Sequence, residues 1–327
     1  MENKFLRRIA IPGTDLVVPF GCVGTMMFGK RADEAESLRI VDAALERGLN
    51  FFDTADMYQN GESERLLGRA LRGRRDQAIV ATKVGYAPDE HGNEEGLSRQ
   101  AILRAIDRSL KNLGMDYVDI YYLHRPDYQA PIEETLETIA EVIRAGKARH
   151  FAISNFGAWQ SYQVLQLCDQ NGWPRPVMTQ MIYNLLVRQI EFEYVRFCKT
   201  HGLHLTVYNP LAGGLLTGKY ASLDDPSPGG RFVDNERYRK RYWSRRFLEA
   251  AARLKAIAED LGMSLTHMAL AWIAQGGKAD SILLGPSNVE QLLDCLAAGE
   301  VEIPPDGMTR IEEFLREFVG TDATYAR

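Results

Sequence analysis

Short, largely apolar runs alternate with amphipathic helical stretches along nearly all of the 327 residues, and this alternation restricts the fold more than any other feature of the chain. Eight runs carry strand character: Phe20 to Met27, Asn50 to Asp53, Ala78 to Lys83, Tyr117 to His124, Ala148 to Ser154, Val177 to Tyr183, His204 to Asn209 and Ser281 to Leu284. Ile79-Val80-Ala81-Thr82 and Val118-Asp119-Ile120-Tyr121-Tyr122-Leu123 are largely apolar rather than alternating, the pattern of strands covered on both faces. Helical patterns fill the gaps near 33–48, 62–72, 99–113, 132–145, 158–171, 190–201, 246–261 and 288–298, with additions near 264–275 and 306–318. Regular alternation with doubly covered strands means a parallel sheet, either doubly wound or closed as a (β/α)8 TIM barrel. Eight strands, with no glycine-rich turn after the first, favour the α/β barrel. No low-complexity linker divides the chain, so residues 1–327 read as a single domain with extra helices and a long loop after strand 7.

Composition closes off other classes. The net charge is −5, without the basic excess of a protein that lives on nucleic acid or anionic membrane. Cys22, Cys168, Cys198 and Cys295 lie 146, 30 and 97 residues apart, with no zinc-like spacing, so no metal site is expected and a reducing compartment fits best. The N-terminal segment lacks an apolar stretch of roughly 7 to 15 residues before Pro12 and Gly13, and no segment reaches roughly 18 consecutive apolar residues. The expectation is a cytoplasmic protein with neither a nucleic-acid nor a membrane partner; its oligomeric state is undetermined by sequence.

Polar residues recur at the ends of the expected strands. Asp53, Lys83, His124, Asn155, Gln180, Tyr208 and Gly285 are separated by 30, 41, 31, 25, 28 and 77 residues. A barrel of eight β/α units advances by roughly 31 residues per unit, so only the last gap is anomalous, and it holds an insertion near 211–243. In a barrel all seven converge on the face that carries the chemistry.

The run Phe51-Phe52-Asp53-Thr54-Ala55-Asp56-Met57-Tyr58-Gln59-Asn60-Gly61-Glu62-Ser63-Glu64, followed by Leu67-Gly68, resembles the signature of the aldo-keto reductase family. The resemblance continues in order through Thr82-Lys83-Val84-Gly85, Leu123-His124-Arg125-Pro126-Asp127, Ser154-Asn155-Phe156, Gln180-Met181-Ile182-Tyr183-Asn184, Tyr208-Asn209-Pro210-Leu211 and Leu284-Gly285-Pro286-Ser287-Asn288. The branch it is similar to includes bacterial aldo/keto reductases and potassium channel beta subunits.

Carbonyl reduction by hydride transfer creates an alkoxide, so a site for it needs a proton donor and charge stabilisation beside the oxygen. Tyr58 can donate. A free phenol, with a pKa near about 10, needs a neighbouring cation to do so at neutral pH, and Lys83 is the candidate. Asp53 would hold Lys83 charged through an ion pair, and His124 offers an N–H to the same oxygen. The resemblance implies the same four roles. Each residue also has a bland reading: a rim aromatic, a structural ion pair, a satisfied core histidine.

No Gly-x-Gly-x-x-Gly follows a strand, which argues against a Rossmann site. Gly213-Gly214-Leu215-Leu216-Thr217-Gly218-Lys219 approaches a Walker motif, but Tyr220 stands where Ser or Thr is required. Gly285-Pro286-Ser287-Asn288-Val289-Glu290-Gln291 is a better phosphate site: Gly285 admits close approach, Ser287 and Glu290 have capping-box spacing, and a helix N-terminus follows. The resemblance implies NADP (NADPH), with Gly285, Ser287, Gln291 and Asp294 at the adenosine phosphate. It implies Ser154, Asn155 and Gln180 on the nicotinamide carboxamide and Tyr208 against its ring. Thr25, Met26, Asn209, Pro210, Leu211, Ala212 and Gly213 are expected to line the rest, with Asp53 close by. Asp294-Cys295 departs from the Glu-Asn of related chains, and Pro286 stands where other branches carry a basic residue. Positive charge for a 2′-phosphate would therefore come from Lys219 or Arg231.

The insertion combines Gly213, Gly214, Gly218, Gly229 and Gly230 with Pro226 and Pro228, which suits a mobile loop. From Arg231 to Arg246 seven basic residues face two acidic ones among Phe232, Tyr238, Tyr242 and Trp243. The stretch reads as a clamp on cofactor phosphates, an attractor of anionic substrates, or a solvated basic helix start. Met26, Met27, Phe28, Tyr58, Tyr86, Tyr128 and Trp159 are expected at the mouth, an aromatic wall for a small-molecule carbonyl substrate, and the segments Tyr86 to Gly96 and beyond Phe318 are expected to set specificity. The function read from these residues is NADPH-dependent reduction of aldehydes or ketones. Two alternatives stand beside it: an NADP-binding regulatory subunit, as potassium channel beta subunits are, although His124 replaces their asparagine, and a Schiff-base aldolase using Lys83.

Overall fold

The computed structural model describes residues 2–86, 96–220, 222–223, 232–233 and 235–319. β1 (Arg8–Ala10) and β2 (Val17–Pro19) form an antiparallel hairpin. Eight parallel strands then close into a barrel: β3 (Gly21–Gly24), β4 (Phe51–Asp53), β5 (Ile79–Val84), β6 (Val118–Leu123), β7 (Ala148–Ser154), β8 (Met178–Ile182), β9 (His204–Tyr208) and β10 (Ser281–Leu284), with β10 pairing both β9 and β3. Each of the eight expected strands is present. The helices are α1 (Glu34–Glu46), α2 (Glu62–Ala70), α3 (Arg99–Leu113), α4 (Ile132–Arg144), α5 (Ala158–Asn171), α6 (Tyr194–His201), α7 (Glu236–Tyr242), α8 (Arg245–Asp260), α9 (Leu265–Gln275), α10 (Val289–Ala297) and α11 (Pro305–Val319). Asp33, Ser98, Ser244 and Ser264 cap α1, α3, α8 and α9 by accepting a backbone N–H three residues on. Among the described residues no helix is long and apolar enough to cross a membrane.

Strand periodicity sorts the side chains into two layers. Cys22, Phe51, Ala81, Ile120, Tyr122, Ala152 and Met178 point into the barrel, where Ile11, Leu16 and Val18 from the hairpin pack against them. Val23, Phe52, Val80, Tyr121, Leu123, Phe151 and Ile153 point outward into the larger core beneath the helices. Two residues beyond the inward Phe51, Ala81, Tyr122, Ala152 and Met178 stand Asp53, Lys83, His124, Ser154 and Gln180, so the same parity turns these polar side chains inward at the C-terminal ends of their strands. The register agrees: Gly24 lies opposite Asp53, Lys83 opposite Tyr122, and Ser154 opposite Gln180.

Three local expectations need correction. β3 ends at Gly24 rather than reaching Met27, because Phe28 N–H bonds back to Thr25 O at 2.9 Å and closes a turn. That turn buries Phe28 completely, which takes it away from any pocket mouth. The long loop after the seventh strand is interrupted by a 3-10 segment, Ala212–Thr217, and by α7, so Tyr238 and Tyr242 are helical. Arg231, Gly229, Gly230, Pro226 and Pro228 lie outside the described residues, as do most of the segment from Tyr86 to Gly96 and the tail beyond 319.

At the start of β9, His204 is buried and its Nε2 meets Ser281 Oγ at 2.8 Å. Burial pushes its imidazole down to about 4, Asp280 opposing in part. Between that value and the unfolded pKa of about 6.5 the unfolded chain binds the extra proton, so acidification destabilises the fold. Urea denaturation is expected to show His204 contributing a loss of about 2 kcal/mol between about pH 7 and about pH 5. His204→Gln is expected to remove that part of the pH dependence, and parallel curves for the two proteins would contradict it.

Candidate active site

The ion pair at the base of the site is fully buried. Lys83 Nζ donates to Asp53 Oδ1 and, at 2.7 Å, to Thr54 O, while both side chains are essentially inaccessible to water. Asp53 Oδ2 accepts from Gln180 Nε2 at 2.8 Å. The carboxylate is thus satisfied on both oxygens, the condition under which a buried pair is tolerated.

The ammonium also stands 5.2 Å from the centroid of the Tyr58 ring. Tyr58 opens a tight 3-10 segment, Tyr58–Gly61, in which Gln59 (φ 49°), Asn60 (φ 52°) and Gly61 (φ 80°) are all left-handed. Two non-glycine residues in that region are unusual and must be held by their surroundings. Gln59 Nε2 donates to Met26 O, and Arg65 Nη2 donates to Asn60 O. Behind the turn, Ser63 Oγ meets Thr25 Oγ1 at 2.7 Å and Thr54 Oγ1 at 3.0 Å, tying α2 to the ends of β3 and β4. His124 completes the group, its ring edge-on to Tyr58 with centroids 6.2 Å apart and perpendicular to Tyr86 at 4.7 Å.

A second set lies along the next strand ends. Ser154 Oγ donates to Gln180 O, Asn155 Nδ2 donates to His124 O at 2.9 Å, and Tyr208 Oη donates to Asn155 Oδ1 at 2.7 Å. Burial pushes the Tyr208 phenol up to about 12, so it stays protonated and serves as a donor and a flat surface. Cys22, deeper in the barrel, is pushed well above its ordinary value by burial, with Asp53 adding to the effect, which keeps the thiol protonated and unreactive.

These groups open into a cavity of about 720 Å3, in the size range of small-molecule and cofactor sites. Tyr58, Asp53 and His124 line it, as do Met26, Ser154, Asn155, Gln180, Tyr208, Asn209, Pro210, Leu211, Gly213, Lys219, Gly285, Ser287, Gln291 and Asp294. Lys83 lies behind this wall. So do Thr25, bonded to Ser63, and Ala212, which is buried beneath its neighbours. Of the expected mouth residues Met26, Met27, Tyr58 and Tyr86 are on the wall, whereas Tyr128 and Trp159, 83% and 69% exposed, stand outside it.

The far end differs in detail from its sequence reading. The cap of α10 is Asn288, whose side chain accepts from Gln291 N–H at 2.8 Å, whereas Ser287 donates through its N–H and hydroxyl to Gln291 Oε1. Asp294 pairs with His267 Nε2 at 2.8 Å. Gly285 leaves open space where a Cβ would stand, with nothing within 4 Å, so its backbone is accessible from the cavity. Tyr238, named in the basic aromatic stretch, also lines the wall, and so do Arg31, Arg241, Thr266 and Leu270, which were not named in the sequence reading. Only Tyr238 and Arg241 carried a signal there, inside the basic aromatic stretch.

Cations from three separate segments, an accessible glycine, a helix N-terminus and an aromatic floor suit an elongated anionic ligand with a planar end, and a dinucleotide fits that description. A closed barrel with its polar cluster at the C-terminal strand ends is the architecture of a β/α-barrel enzyme. The chain belongs to the aldo/keto reductase family, whose sequence model matches residues 22–316. That membership places it among oxidoreductases of carbonyl compounds. It is 39% identical over 296 residues to an aflatoxin B1 aldehyde reductase member 2 of Rattus norvegicus, covering 86% of this chain and 80% of that protein. It is 38% identical to aldo-keto reductase family 7 member A3 of Homo sapiens over 86% of this chain and 89% of the relative. A probable voltage-gated potassium channel subunit beta of Oryza sativa subsp. japonica is 35% identical over 87% and 89%.

Proposed function

We propose that the protein reduces aldehydes or ketones to alcohols with NADPH, Tyr58 supplying the proton. The observation that carries the reading is the convergence of Tyr58, Lys83, Asp53 and His124 at one part of a cavity large enough for a dinucleotide. When bound, the nicotinamide supplies the hydride. Tyr58 Oη gives its proton to the carbonyl oxygen, and the Lys83 ammonium stabilises the phenolate left behind. Asp53 keeps Lys83 in place, Gln180 keeps Asp53 in place, and His124 orients the oxygen. Ser154, Asn155 and Tyr208 present polar edges and a flat ring to the nicotinamide end. Gly213, Lys219, Ser287 and Gln291 hold the phosphates, with Arg241 available to these or to an anionic substrate. The similarity to aldehyde reductases of rat and human supports the substrate class.

Carbonyl-dependent oxidation of NADPH across aldehydes, ketones and dicarbonyls tests the proposal. Tight cofactor binding without turnover on any of them would instead favour a regulatory subunit. The aldolase reading meets a specific obstacle: Lys83 is buried and its ammonium is engaged by Asp53 and Thr54, so no free amine faces a substrate. NADPH preference rests on positive charge in the cavity. Lys219→Met is expected to raise the Kd for NADPH by about tenfold, the worth of one charge-assisted hydrogen bond, with little change for NADH. Equal effects on the two cofactors in a fluorescence titration would contradict it.

A further inference from the structure

The cavity wall from Asn209 to Gly214 is an uncommon piece of backbone. Asn209 (φ 63°), Ala212 (φ 48°), Gly213 (φ 70°) and Gly214 (φ 98°) are all left-handed, two of them with side chains. Such a segment persists only where contacts over-determine it. Some of those contacts come from α7, a short helix whose Tyr238 and Tyr242, four residues apart, share one face. Tyr238 covers Gly213 so closely that a Cβ there would come within 2.7 Å of its ring. Tyr242 is fully buried, and its hydroxyl accepts from Asn209 Nδ2 at 2.8 Å and Asn184 Nδ2 at 3.2 Å.

Both asparagine orientations are fixed by other bonds, so the donors at Tyr242 are unambiguous. Asn209 Oδ1 accepts from Gly213 N–H at 2.7 Å. Asn184 Oδ1 accepts from Leu186 and Val187 N–H at 2.9 and 3.0 Å, and its amide also reaches Asn209 O at 3.0 Å. The hydroxyl therefore joins α7 to the loop after β8 and to the left-handed wall after β9. Asn209, Pro210, Leu211, Gly213 and Gly214 of that wall face the cavity, and so does Arg241, the residue before Tyr242.

We propose that Tyr242 is a positioning residue for the dinucleotide: its buried hydroxyl holds the Asn209–Gly214 wall in its binding conformation and ties α7 to it. This deepens the nucleotide-binding reading and rests on it. Phenylalanine at 242 would keep the ring packing and remove only the acceptor, leaving Asn209 Nδ2 without its partner.

The test is NADPH binding by stopped-flow fluorescence with Tyr242→Phe, Asn209→Ala and the double variant. Tyr242→Phe is expected to raise the NADPH dissociation rate and Kd about tenfold with little change in association rate, and the double variant to be no weaker than Asn209→Ala alone. A merely structural role would lower the Tm of the cofactor-free protein while leaving the dissociation rate unchanged, and that result, or full additivity, would overturn the proposal. Trypsin cleavage at Arg239, Lys240 and Arg241 of the wild-type protein gives a second readout that does not depend on how the variants fold. NADPH is expected to slow it at least severalfold, and cleavage indifferent to NADPH would overturn the proposal. If the wild-type protein bound no NADPH, the nucleotide-binding reading itself would fail; binding by the wild type with an unaltered Tyr242→Phe would sink this inference alone.

Discussion

Tyr58→Phe is expected to lower kcat for carbonyl reduction by roughly a hundred- to ten-thousand-fold, the range over which a positioned proton donor acts. The substitution removes one oxygen and leaves the ring that sits beneath Lys83 and edge-on to His124. The Kd for NADPH and the Tm should therefore stay close to those of the wild type. Steady-state turnover with cofactor titration measures both. A kcat within a few-fold of wild type would show that another group delivers the proton.

Lys83→Met is expected to damage stability and turnover together. It leaves a fully buried carboxylate at Asp53 with Gln180 as its remaining side-chain partner, a loss of about 3–5 kcal/mol of folding stability for a broken buried pair. Adding Asp53→Leu replaces the ion pair by apolar groups of similar volume and should recover much of that stability, because buried pairs are often no more stabilising than well-packed hydrocarbon. Turnover should not return with it, since Lys83 stabilises the phenolate in the proposed reaction. Urea denaturation and activity of the two proteins separate the effects. Recovery of activity in the apolar double variant would remove Lys83 from the chemistry.

The barrel was legible because burial on two faces leaves long apolar runs, and parity along β4, β5 and β6 then points Asp53, Lys83 and His124 at one another. The β1–β2 hairpin was not: its strands of three residues show no period, and neither is a continuous apolar run with the polar end that marks the equally short β4. Phe28 and Met27 look alike as apolar residues after β3, and only the turn closed on Thr25 sends Phe28 into the core. Ser287 and Asn288 are both competent caps; which one serves depends on where the chain enters α10. Gln180 bonding Asp53 joins residues 127 apart, a contact that follows from barrel closure rather than from any local motif. Arg241 and Tyr242 were hidden in a stretch whose charge reads equally well as a solvated helix, and their role appears only when α7 is seen against Asn209.

Transfer of the reducing hydrogen tests the central claim most directly. The purified protein would be given NADPH carrying deuterium at the reactive nicotinamide carbon, together with a reducible aldehyde, and the product alcohol examined by mass spectrometry. A single deuterium on the former carbonyl carbon of each product molecule is the predicted result. Alcohol formed without deuterium, or no alcohol from any carbonyl while NADPH remains bound, would contradict direct reduction at this site.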